Sequence, residues 1–179
     1  MKIKIGVFLI IVSIVISLYT FVKFKINQNN YEVAVNNKLL NNDYYAIIEI
    51  PKINLKREIY EIKNINNNVD SNILVHKNSI FPGKAKSNVI LAAHSGNGKN
   101  AYFKNLYKLK TNDTIYLYFN SFKYEYEIQE IEYQNKTGSL YIKEGFDNMI
   151  TLITCTYNNQ NTQTIYYGKL KNIENIAKK

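Results

Sequence analysis

One long uncharged run is followed by many short apolar runs, which polar, turn-forming residues keep apart. Positions 5–22 hold no charged residue over 18 positions, with Lys2 and Lys4 before them and Lys23 and Lys25 after. A bilayer-spanning helix needs about 20 apolar residues, with a lower limit near 17. A cleavable signal core is shorter, about 7–15 residues, and precedes a small-residue site. Thr20-Phe21-Val22-Lys23 is no such site. Residues 1–26 are therefore expected to be an uncleaved signal anchor, with a cleaved signal as the alternative. A short basic N-terminus stays cytoplasmic as a rule, which would put the rest of the chain outside the cell. Positions 27–43 are polar and Asn-rich and read as a stalk, with a marginal helix over 31–40.

From position 44 the pattern has a strand period. Ala46-Ile47-Ile48-Glu49-Ile50 is a strand that Pro51, lacking an N–H, should end. Further strands are expected over 55–62, 73–76, 89–94, 114–119, 123–128, 149–155 and 164–167. The strict alternation of Lys123-Tyr124-Glu125-Tyr126-Glu127-Ile128 marks a strand with one wet face. The run 89–94 is apolar nearly throughout, as in a strand buried on both sides, and the apolar, β-branched run 149–155 reads as a buried strand. Positions 101–106 could make one to two helical turns, and 135–148 a loop with a helical turn near 140–143. Positions 156–162 read as a polar loop, and 172–179 as a loose basic tail. About eight short strands with frequent turn signals suggest a sandwich or a barrel, and the periodicity alone does not choose.

Composition narrows the function. Of 179 residues, 23 are basic and 14 acidic, a net charge of +9. Without the four flanking lysines the balance is 19 to 14, a net +5. The lysines alternate with glutamates and form no basic stripe, so no nucleic-acid partner is expected. The 153 residues after position 26 suffice to bury about 68–70% of their unfolded surface. The tyrosine-rich strands read as core and rim, and Glu125, Glu127, Glu130 and Glu132 as one solvated face.

The single cysteine, Cys155, stands at the end of one buried run, and His94 at the end of another. A lone cysteine is often a small hydrophobe filling a core. In an exported chain it has no internal disulfide partner and is a candidate reactive thiol. A thiol and an imidazole far apart in sequence but adjacent in space can attack a carbonyl and protonate the departing amine. His76 competes for the imidazole role but lacks the Gly-flanked loop after His94.

Three segments carry a resemblance. Ile-Glu-Ile-Pro-Lys-Ile at 48–53, Ala-Ala-His-Ser-Gly at 92–96 and Thr-Leu-Ile-Thr-Cys at 151–155 resemble, in order and spacing, the signatures of the sortase family. The resemblance covers residues 44–171, and implies an all-β catalytic domain there: a closed eight-stranded barrel with short connecting helices, preceded by an N-terminal transmembrane helix. It implies a single-pass membrane enzyme outside a Gram-positive cell, with Cys155 as nucleophile and His94 as proton donor to the leaving group. Cys155 would cut a Leu-Pro-X-Thr-Gly-like signal of a surface protein between Thr and Gly, through a thioacyl-enzyme. An amine of a cell-wall precursor or pilin would accept the acyl group. Ala93, Thr154 and Thr164 flank these residues and are expected to bind substrate. The His94–Cys155 interval and the stalk favour a class A-like or class D-like enzyme.

The resemblance breaks at one position. Sortases carry an arginine on the strand after the cysteine loop, and here the matching residue is Gln163, or Thr164 with a one-residue gap; the only arginine is Arg57. Gln163 as a neutral donor, Lys169 or Arg57 as the source of charge, and an impaired enzyme are the three readings. The rivals to a transpeptidase are an ordinary cysteine hydrolase and a barrel that only binds sorting signals. Asp113, Glu144 and Asp147 could approach a calcium ion, but their spacing selects none of them, and no metal or cofactor is expected.

Overall fold

The computed structural model describes residues 10–27, 30, 44–138, 141–143 and 147–177. Ile10–Asn27 is an exposed helix long and apolar enough to cross a membrane. The expected helix over 31–40 and the turn near 140–143 fall wholly or partly outside the described residues.

Eight strands follow: β1 (Ala46–Ile50), β2 (Leu55–Ile59), β3 (Leu74–Val75), β4 (Asn88–Ala92), β5 (Thr114–Phe119), β6 (Phe122–Asn135), β7 (Met149–Thr156) and β8 (Asn159–Asn175). They form one sheet in the order β2-β1-β5-β6-β8-β7-β4-β3. Every neighbouring pair is antiparallel except β4 and β7, which are parallel. The sheet curls into a nearly closed barrel around Ile48, Leu91, Phe103, Leu117, Tyr126, Leu152 and their neighbours.

Side-chain amides cover the two sheet edges, whose free backbone groups would otherwise invite pairing with other chains. Along β3, Asn67 accepts the Val75 N–H at 2.6 Å and donates to the Val75 carbonyl at 3.0 Å, as a partner strand would. At β2, buried Asn72 donates to the Glu58 carbonyl at 3.1 Å and accepts from Arg57 Nε at 3.0 Å. The Arg57 guanidinium also lies 4.5 Å over the Tyr102 ring. The sole arginine is thus engaged at the seam.

Several elements differ from the sequence pattern. The helix expected over 101–106 is a set of turns, with a short 3-10 helix only at Leu106–Lys108. β6 runs well past Ile128, because a bulge between Ile128 and Glu130 absorbs the break in alternation. The expected loop over 156–162 is largely strand: a tight turn at Tyr157-Asn158, with Asn158 at φ 61°, leads straight into β8. Residues 172–175 continue β8 against β6, and Ile176 packs on Ile47 and Tyr118. The β5–β6 hairpin turns at Asn120-Ser121, both at positive φ, the geometry of a two-residue type I′ turn.

Candidate active site

The parallel pairing of β4 with β7 sets the site. Its register runs from Asn88 opposite Met149 to Ala92 opposite Ile153, a constant offset of 61 residues. Three bonds extend the pairing past the strand: Ala93 N–H to the Ile153 carbonyl (3.3 Å), Thr154 Oγ1 to the Ala93 carbonyl (2.8 Å) and Ser95 Oγ to the Cys155 carbonyl (2.8 Å). β4 ends at Ala92; the same offset, carried two residues past it, would bring His94 opposite Cys155. On the other flank, β8 places Gln163 opposite Cys155 and Thr164 opposite Thr154.

Strand alternation divides these residues into two layers. Ala93, Thr154 and Thr164 point inward and are buried. Their polar atoms serve the scaffold: Thr154 bonds Ala93, and Thr164 Oγ1 lies 3.0 Å from Thr156 Oγ1. They hold the strand ends in register, and here the expectation of substrate-binding side chains meets buried, already bonded groups. His94, Cys155 and Gln163 belong to the outward layer, where Cys155 is half-buried and the His94 side chain is 50% exposed. A crevice of about 10 Å³ opens beside the cysteine, and the stacked rings of Tyr107 and Tyr157, 4.1 Å apart, line it.

Two residues join the site that the sequence reading missed. The Asp70 carboxylate lies 3.2 Å from His94 Nε2, in a turn held by Asn68 and by Asn100, which donates to the Asp70 carbonyl at 2.6 Å. A carboxylate at this distance can orient an imidazole. The Lys136 ammonium donates to Cys155 Sγ at 3.0 Å. Lys136 lies one residue past β6, where its N–H bonds the Asn161 carbonyl at 2.9 Å. Both are charged residues in polar loops, and no signal in the sequence pointed to either.

The other candidates sit elsewhere. Gln163 directs its amide to Gln134 Oε1 at a long 3.5 Å. Lys169 pairs with Met149, six positions along β7 from Cys155, about 20 Å away at strand spacing. Arg57 is held at the seam. His76 accepts the Asn78 N–H on Nδ1 at 3.3 Å, and burial, then the charge of Lys77, push its pKa down. The Asp113 carboxylate binds Lys52 at 2.7 Å; Glu144 lies outside the described residues. A concavity of about 980 Å³ beside Tyr45, Ile80 and Phe81 touches none of the site residues.

Behind Cys155 the outward face carries its own apolar cluster: Ile90, Met149, Ile153, Ile165 and Tyr167, packed by Ala92 and Ile142. Lys143, next to Ile142, is tied to Glu130 at 2.5 Å, a bond that raises its pKa. Ile142 thus packs on the parallel pair from outside, where the outward residues of β4 and β7 are apolar too.

A family model for the sortase domain matches residues 48–171. The chain belongs to the sortase family. It is 28% identical over 131 residues to sortase A of Bacillus anthracis, covering 73% of this chain and 61% of that relative's length. The chain thus spans about three fifths of this relative. Among solved structures, it resembles sortase A of Listeria monocytogenes (TM-score 0.63, 25% identity, 76% of this chain and 93% of that one). It also resembles sortase C-1 of Actinomyces oris (TM-score 0.62, 25% identity, 75% and 77%). Sortases are known as cysteine transpeptidases, and this sortase has one cysteine, at the strand end described above.

Proposed function

We propose that this chain is a membrane-anchored transpeptidase whose nucleophile is Cys155. The observation that supports the reading is the parallel β4–β7 register, whose offset of 61 residues, carried past Ala92, would bring a half-exposed His94 opposite a half-buried Cys155. The Cys155 thiolate attacks the carbonyl carbon between Thr and Gly of a Leu-Pro-X-Thr-Gly-like signal, and the carbonyl π pair moves to oxygen. The tetrahedral species collapses, the C–N bond breaks, and the His94 imidazolium gives its proton to the leaving amine. An incoming amine of a cell-wall precursor or pilin then attacks the thioacyl carbon. His94 takes the amine's proton and the thiolate leaves. Asp70 orients the imidazole through both halves of the cycle.

In this reading residues 1–26 anchor the chain, 27–43 form a stalk, 44–171 are the catalytic domain outside the cell and 172–179 its C-terminal extension. Substrates are surface proteins bearing sorting signals, and the enzyme is class A-like or class D-like.

The test uses the full chain in detergent, a sorting-type peptide and a glycine-type amine, with products resolved by mass spectrometry. Ligated peptide is expected. Free acid alone, at saturating amine, would make the protein a hydrolase; intact peptide across a sorting-motif library would leave a binding barrel, the reading that Gln163 in place of arginine favours.

A further inference from the structure

Gln163 leaves the outward layer without the positive charge that a thiolate and a developing oxyanion call for. Its amide is neutral and turned to Gln134. The cation in the neighbourhood comes from the other side of β8. Lys136 places its ammonium 3.0 Å from Cys155 Sγ, within hydrogen-bond reach of a sulfur acceptor. Its backbone is fixed by the bond to Asn161, and the preceding pairs, Asn135 with Thr162 and Gln134 with Gln163, hold the strand in register up to it. The long side chain therefore crosses β8 from a rigid root. Among the described residues, no other lysine or arginine bonds the sulfur.

We propose that Lys136 is a catalytic residue of this chain: its ammonium pairs with the Cys155 sulfur and then faces the oxyanion, supplying from the end of β6 the charge that Gln163 cannot supply from β8. A cation beside a thiol favours the nucleophilic thiolate. A charged donor makes a hydrogen bond roughly twice as strong as a neutral one. Lys136 keeps its proton throughout. It neutralises sulfur before attack, stabilises the oxygen that receives the π pair when the C–S bond forms, and pairs again with sulfur when the thioacyl bond breaks. The role in turnover rests on the transpeptidase reading; the contact with sulfur does not.

The deciding experiment compares alkylation of Cys155 by anionic iodoacetate and neutral iodoacetamide at low ionic strength, in the full chain and in Lys136→Met and Lys136→Arg. A cation at the sulfur attracts the anionic reagent, so the iodoacetate-to-iodoacetamide rate ratio is expected to fall about fivefold or more in Lys136→Met and to persist in Lys136→Arg. Turnover of a sorting peptide is expected to fall about 100-fold in kcat with little change in KM, as for an interaction made only in the transition state. Adding Gln163→Arg to Lys136→Met is expected to restore about tenfold of that loss, because the charge returns from the opposite strand. A merely structural lysine would move none of these together. An unchanged reagent ratio in Lys136→Met overturns the contact, and an unchanged kcat overturns the catalytic role. Failure of the transpeptidase reading shows separately, as an unmutated chain that alkylates with the expected preference but turns over no peptide.

Discussion

The inward and outward layers of the same strand ends make opposite use of neighbouring residues. Ala93, Thr154 and Thr164 are buried, and the Thr154 and Thr164 hydroxyls and the Ala93 carbonyl are bonded within the barrel. One residue further along, His94 and Cys155 are partly exposed, and their polar side-chain atoms meet Asp70 and Lys136 respectively, at 3.2 and 3.0 Å. Alternation lets one strand end be scaffold and site at once, so stability and chemistry should respond to different substitutions.

The sharpest break in that comparison is Cys155→Ala, which should abolish adduct formation while leaving the thermal midpoint within a few degrees, read by circular dichroism beside a peptide assay. His94→Ala follows, with an expected loss of about 10²–10⁴ in rate and stability again near that of the unmutated chain. Asp70→Asn should cost less, because it removes only the orienting charge, and should leave the unfolding midpoint unchanged. The reverse pattern is expected from Gly168→Ala. A Cβ there would come within 2.8 Å of Ile150 Cγ2, an overpacked contact worth about 1–3 kcal/mol. Urea unfolding should show that loss, while the rate per folded molecule holds.

The smallest effect belongs to the Lys52–Asp113 pair at the barrel's surface. Burial pushes the Asp113 carboxyl up, but the bonds from Lys52 and from the Lys110 N–H outweigh it and hold the pKa below the usual 3.8. A carboxylate whose folded pKa is depressed stabilises the fold above its unfolded pKa and loses that contribution as pH falls through the folded value. Asp113→Asn should therefore cost about 0.2–1 kcal/mol at neutral pH. The difference should close below about pH 3.8. A constant difference across that window would contradict the assignment.

The sequence made legible what local pattern controls. β1 and β5 match their expected residues in full, since apolar composition or alternation and a Pro or Asn turn bound them. The burial of β4 and β7 was visible as nearly continuous apolar runs, and those runs led directly to His94 and Cys155. The first residues of β8 were not legible. Asn159, Thr162 and Gln163 have the look of a loop, and only pairing with both β6 and β7 makes them strand. The end of β6 was hidden by a bulge that breaks alternation at Gln129. Asp70 and Lys136 reach the site across the fold, from turns whose own sequence carries no chemical signature.

The most direct test of a shared His94–Cys155 site is the intact mass of the full chain after brief exposure to a sorting-type peptide. The account predicts a gain equal to the peptide up to its threonine, absent in Cys155→Ala and discharged by a glycine-type amine. No gain with any peptide of a sorting-motif library, while Cys155 still reacts with iodoacetamide, would contradict it.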